Sequence, residues 1–296
     1  MQQCFARAHS TVTCRTAQRP ARLPPTGSTG EGRVDEIDPP QTNLPRGAPD
    51  ARAPAAGQLV VSGAGRTHRG LVREANEDAI LTDPTGVLWA VADGMGGYGH
   101  GDIAADLVID ALARLPHGEG GRVLLGRGLA EAHADVRRQA RSDGLGPIGA
   151  TVVAALIEGD RAVIGWAGDS RAYLWREGRL APLTRDHSVV QELIDSASLS
   201  EAEAAAHPEA HVVTRAIGVG EEAWPEFIEI ALREGDQLLL CSDGLSRCVP
   251  EPEIAAALAA AQRPEAACLA LIEAALAHGA PDNVSAVLLR LDREGP

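Results

Sequence analysis

The chain reads as an α+β protein, and three features of its 296 residues say so. Apolar runs of strand length arrive as neighbours joined by tight turns. Amphipathic stretches of helical period arrive in pairs. The regular strand and helix alternation of a βαβ sheet is missing. With 45% hydrophobic residues the chain can bury a sizeable core, and with only 3% aromatic residues that core must be aliphatic.

Residues 1–56 are rich in Pro, Thr, Ala and Arg without hydrophobic periodicity, which predicts a disordered tail ahead of one domain over 57–296. The first 30 residues carry Arg but no acid, a faint transit-peptide composition; a flexible tail or an over-long translation start is the simpler reading. From Gln58 the pattern changes. Gln58 to Ala64 and Ala79 to Leu81 predict short strands around a charged connection, Arg66 to Asp78. Leu88 to Ala92 is continuously apolar, as a strand buried on both faces would be. Asp102 to Leu115 and Gly121 to Arg141 each carry an apolar stripe of helical spacing, read as core-covering helices.

Three β-rich runs follow, Gly149 to Ile157, Ala162 to Ala167 and Ser170 to Trp175, with tight turns at Glu158-Gly-Asp160 and Gly168-Asp169; Glu177-Gly178 closes a further hairpin. Residues 183–225 are polar and irregular, with short helical pieces at Val189 to Asp195 and Ser200 to Ala206, and are expected to form a mobile surface flap. Strands return at Phe227 to Leu232 and Gln237 to Ser242. Helices are predicted over Glu253 to Ala261 and Pro264 to Ala277, and Val284 to Leu291 is the closing strand.

Charge and cysteine usage narrow the function classes. All 27 basic residues are Arg, and seven Arg against five acids in the first 56 residues leave 20 Arg against 36 acids in the rest. A domain this acidic argues against nucleic acid or an anionic membrane as the main partner. One well-placed Arg beside bound cations could still admit a phosphate. Five cysteines with no CxxC pair argue against a disulfide framework and a thiolate zinc site, and fit a reducing cytoplasm. No apolar run reaches the roughly 18 residues needed to span a bilayer.

Chemistry gathers around acids. Leu88 to Ala92 runs into Asp93-Gly94-Met95-Gly96-Gly97; Gln237 to Ser242 ends in Asp243-Gly244; and Asp282-Asn283 opens the last strand. A carboxylate at the end of a buried strand is costly unless partnered. Any single Asp-Gly reads most simply as a turn. Three such acids, each at a probable strand edge, suggest one site assembled by the fold. Several carboxylates in one pocket repel and take up protons unless cations neutralise them, and all-oxygen ligands suit Mg²⁺ or Mn²⁺. Two such ions would also acidify a water and screen phosphoryl oxygens.

Seven motifs, in order, resemble one family: Arg73-Glu-Ala-Asn-Glu77-Asp78-Ala, Val91-Ala-Asp93-Gly94-Met-Gly-Gly, Gly149-Ala-Thr, Gly168-Asp169-Ser-Arg-Ala-Tyr, Leu183-Thr-Arg-Asp-His-Ser, Ser242-Asp243-Gly244-Leu and Asp282-Asn283. Over about residues 58–292 the chain resembles the metal-dependent, type 2C (PPM) serine/threonine protein phosphatases in their bacterial form. The resemblance implies a four-layer fold, a central antiparallel β-sandwich flanked by helices on both outer faces, with a binuclear Mn²⁺/Mg²⁺ centre at one end. It implies that Asp93 bridges two metals and Gly94 offers its carbonyl, that Asp243 and Asp282 hold one metal, and that Glu77 and Asp78 act directly or through waters. Asp169 is similar to the residue that, with Asp243, holds a third metal in bacterial members. Arg73 matches the phosphate-binding arginine, whose planar fork grips two oxygens. The implied reaction is hydrolysis of phosphoserine and phosphothreonine in phosphoproteins by a metal-activated water, without a covalent intermediate, by a cytoplasmic monomer opposing a serine/threonine kinase.

The chain departs from the pattern in places. Animal members place a His after the bridging Asp-Gly pair; here it is Met95, as in bacterial members, which leaves the general acid open, and His100 reads as a loop residue. Two other readings compete. Cys241-Ser-Asp-Gly-Leu-Ser-Arg247 fits C-x5-R, the loop of cysteine-dependent phosphatases, but Asp243 in its middle opposes the electropositive setting a thiolate needs. A non-catalytic phosphoprotein-binding relative would be expected to have lost ligands, and here all are present.

Overall fold

The structure, a computed structural model, describes residues 59–96, 100–116, 120–204 and 207–293. The expected tail, Cys4, Cys14, Gln58, Gly97 and the end of the helical piece at Ala205 and Ala206 lie outside them.

Strands buried on both faces at their centres build two sheets, each of five antiparallel strands. One runs β1 (Leu59–His68), β10 (Val284–Arg293), β9 (Gln237–Cys241), β6 (Arg171–Arg176), β7 (Arg179–Pro182). The other runs β2 (Asp78–Thr82), β3 (Leu88–Gly96), β4 (Ile148–Glu158), β5 (Arg161–Ala167), β8 (Glu226–Ala231). Successive side chains point to opposite faces. On β9, Leu238 and Leu240 therefore join Trp89, Val91, Val153, Ile164, Val287 and Leu289 in the layer between the sheets. Leu239 and Cys241, one residue out of phase, face α6 (Glu251–Ala260) and α7 (Pro264–Ala277), where Ile254, Leu258 and Leu271 cover them.

The second sheet repeats the arrangement: Ala90, Ala92, Val152 and Ala154 pack against Val108, Leu112, Leu125 and Leu129 of α1 (Gly101–Ala113) and α2 (Gly121–Asp143). Both helix pairs thus lie on outer faces, giving four layers. The buried side chains are overwhelmingly aliphatic, and Tyr173 is the bulkiest that is fully enclosed.

Three short elements refine the sequence reading. The segment 183–225 contributes α3 (Val189–Asp195), capped by Ser188, and α4 (Glu201–Ala204). It is tied to the body by an isolated bridge between Ala150 and Ile217. After β9 the chain turns at once into α5 (Asp243–Ser246), a single turn that the strand pattern did not announce. β3 continues beyond its apolar run through Gly96, because Asp93, Gly94, Met95 and Gly96 all pair with β4. Asp93 is therefore inside a strand, not at its edge as expected, and Asp243 opens a helix. Among the described residues no helix is long and apolar enough to cross a membrane.

Candidate active site

Register brings the acids together at one end of the sandwich. Asp78 and Asp93 are direct partners in the β2/β3 pair. Asp78 is buried, and its Oδ2 accepts hydrogen bonds from Ser285 Oγ at 2.6 Å and Ser242 Oγ at 2.9 Å, both from the opposite sheet. Its other oxygen, Oδ1, is enclosed without a hydrogen-bond partner. Asp243 enters from α5, its carboxyl within hydrogen-bond reach of Asp93. Gly244 lies so close to the last loop that an added Cβ would stand 1.9 Å from the Asn283 carbonyl, which sets Asp243 beside Asp282-Asn283. Gly94 and Gly101 make a similar close approach: a Cβ on Gly94 would stand 2.1 Å from the Gly101 carbonyl oxygen. The start of α1 is thereby pressed against the strand that carries Asp93, and Gly101 N–H donates to Glu77 Oε1 at 3.3 Å.

Asn283 organises the remaining loop. Its Oδ1 accepts from Glu77 N–H at 2.8 Å, and its Nδ2 donates to the Arg69 and Ala75 carbonyls at 2.9 Å each. That loop delivers Arg73 to the rim, where its guanidinium pairs with Asp282 at 2.7 Å, about half exposed. Asp169, in the turn after β5, is buried and pairs at 2.7 Å with Arg247. Every acid named from the sequence is thus at this end of the molecule. What the sequence reading missed is the support: Ser242, Ser285 and Asn283. Ser285 could have been noticed as a polar interruption of the apolar run from Val284 to Leu291.

The electrostatics follow from crowding. Burial, then the charges of Asp78, Asp243, Asp169 and Asp282, push the Asp93 carboxyl well above the usual range. Burial raises Asp78 to about 7 against the two serine hydrogen bonds, and raises Asp169 to about 7 with help from Asp243. Asp243 is raised as well, burial outweighing the nearby Arg247. Among the described residues no three His, Cys, Asp or Glu side chains already stand at metal-coordinating spacing, since Asp282 and Asp169 are turned onto arginines. The donor set nevertheless fits hard divalent cations. It consists of oxygens only, the carboxylates are close enough to raise one another, and one buried carboxylate oxygen, Asp78 Oδ1, has no hydrogen-bond partner.

Two expectations about other side chains can be placed. Met95 sits in β3 opposite Gly149, and His100 is the N-cap residue of α1 without a side-chain capping bond. Cys241 is fully buried on β9, where burial pushes its thiol up to about 12, the reverse of what a nucleophilic thiolate needs. Arg247, the other half of that C-x5-R match, is engaged with Asp169 and Asp243.

Residues 63–288 match the family model described as protein phosphatase 2C. The serine/threonine protein phosphatase PstP of Mycobacterium tuberculosis is 41% identical over 239 residues, covering 78% of this chain and 45% of the relative, so the chain spans about half of that protein's length. The serine/threonine phosphatase stp of Listeria monocytogenes is 32% identical over 238 residues, 77% of this chain and 94% of the relative. Among solved structures, the catalytic domain of PstP in complex with two manganese ions superposes with a TM-score of 0.72 at 37% identity, covering 79% of this chain and 99% of that one. PppA of Pseudomonas aeruginosa, described as a key regulatory component of its T6SS, superposes at 0.71 with 39% identity, covering 78% and 97%. With the four-layer fold, the converging acids and a family match over three quarters of its length, this chain belongs to the protein phosphatase 2C family.

Proposed function

We propose that the chain is a serine/threonine phosphoprotein phosphatase that hydrolyses phosphomonoesters and depends on Mn²⁺ or Mg²⁺. The observation that carries this reading is the meeting of Asp78 and Asp93 from the β2/β3 pair with Asp243 of α5 and Asp282 ahead of β10, beside a rim arginine. Asp93, the Gly94 carbonyl, Asp243 and Asp282 would hold two ions, with Glu77 and Asp78 acting directly or through water. When bound, such ions supply an acidified water and counter-charge for the phosphoryl oxygens.

The protein's own residues do the rest. Arg73, on a loop pinned by Asn283, is free to exchange its exposed partner Asp282 for two oxygens of a phosphate, since such a rim pair is weak. The serine pair holds Asp78 in one rotamer, and the close glycine contacts fix the separation of the acid-bearing segments. We place the enzyme in the cytoplasm as a monomer opposite a serine/threonine kinase, a setting supported by free Cys241, Cys248 and Cys268. Light scattering at the single-chain mass of 30.8 kDa checks the monomer.

The test is hydrolysis of a phosphothreonine peptide and of p-nitrophenyl phosphate. Activity should require Mn²⁺ or Mg²⁺, vanish with chelator, fall to below a few per cent in Asp93→Ala and Asp243→Asn, and survive in Cys241→Ser. Activity that survives chelation, or that Cys241→Ser abolishes, overturns the reading.

A further inference from the structure

α5 is one turn long, and its C-cap residue is Arg247, whose side chain folds back over the turn it ends. One guanidinium nitrogen donates to Asp169 Oδ2 at 2.7 Å, and another stands 3.3 Å from Asp243 Oδ2. The same side chain touches His211 Nδ1, in the segment between α4 and β8. Asp169 is 3% exposed and Asp243 16%, whereas Arg247 retains 28%. A single cation of fixed charge is thus set against two enclosed carboxylates, one from the turn after β5 and one from α5.

We propose that Arg247 is the resident counter-ion of the Asp169 and Asp243 pair and keeps a divalent cation out of it. The reason is both steric and electrostatic. A guanidinium hydrogen-bonded to Asp169 also stands 3.3 Å from an Asp243 oxygen, so it occupies the approach to both acids. A doubly charged ion placed there would have to displace it or lie within a few ångströms of a like charge. Mg²⁺ and Mn²⁺ also need several oxygens around them, and at this corner the Asp169 carboxylate is already spent on the guanidinium. An arginine, unlike a bound ion, cannot be diluted away, so this corner of the site keeps a counter-charge at any metal concentration. The His211 contact ties the 207–214 stretch to the same guanidinium. This rests on the proposed phosphatase reading only in assigning the ion pair to Asp93, Asp243 and Asp282.

The measurement is the number of Mn²⁺ ions bound per chain, by calorimetric titration and native mass spectrometry. Wild type and Asp169→Asn should bind the same number with the same affinity, because Asp169 is engaged with Arg247. Arg247→Met, which keeps length and loses charge, should bind one ion more. Asp169→Asn in the Arg247→Met background should remove that additional ion. A wild type that loses one ion on Asp169→Asn overturns the proposal, as does an Arg247→Met protein with unchanged stoichiometry. If wild type binds no ion and Arg247→Met binds one, the counter-ion role stands and the phosphatase reading falls.

Discussion

Asp78 and Ser285 are 207 residues apart in the chain and 2.6 Å apart in space, and their hydrogen bond joins the two sheets directly beneath the acid cluster. Ser242, between β9 and α5, bonds the same oxygen. A carboxylate buried this deeply keeps its place because two hydroxyls meet one oxygen while the other oxygen is left for a cation.

Removing one of these hydroxyls should be costly. Hydrogen bonds to charged groups contribute on the order of 1.5–3 kcal/mol. Ser285→Ala should therefore lose about that much stability in urea unfolding at neutral pH, and should weaken Mn²⁺ binding because Asp78 is no longer oriented. An unchanged unfolding midpoint would show the bond to be dispensable.

The crowded acids give the cation-free protein a definite pH dependence. Asp78 and Asp169 are each raised to about 7, so the folded protein holds protons there that the unfolded chain releases near pH 4. Stability from these groups is full below about pH 4 and is lost as pH rises through 7. In chelator, the melting temperature should fall between pH 5 and 8. Mn²⁺ should restore it, with a larger gain at pH 8 than at pH 5. Asp78→Asn should flatten the slope.

Arg73 offers a separation of roles. Its pair with Asp282 is exposed on both sides, and such pairs contribute about 0–1 kcal/mol. Arg73→Ala should leave stability nearly unchanged and mainly raise KM for phosphoprotein. A pure loss of kcat would assign the residue to the transition state instead.

Gly244 has no room for a side chain. Its Cβ would lie 1.9 Å from the Asn283 carbonyl, so in Gly244→Ala the backbone carrying Asp243 must move. A displacement of about 1 Å at a catalytic constellation can cost on the order of 10²-fold in rate. Turnover should drop by about that factor while circular dichroism stays native-like. Near-normal turnover would show that Asp243 tolerates displacement.

Most elements were legible in the sequence because burial leaves a local trace. The continuous apolar run in Gln237–Cys241 marks a strand covered on both faces, and the stripes on α1 and α2 report which sides meet the core. The acids were also legible, since Asp93, Asp243 and Asp282 interrupt apolar runs where a charge is expensive. Periodicity says that a side is covered but not by what. Only the tertiary structure decided that Leu238 faces the other sheet and Leu239 a helix, that Asp93 lies within a strand whose glycines keep pairing, and that Asp78 is held by one serine ahead of α5 and another on β10. It also decided that Arg247 is turned onto Asp169. These relationships join residues far apart in the chain, and they are fixed by strand register and close backbone approach, which no local pattern records.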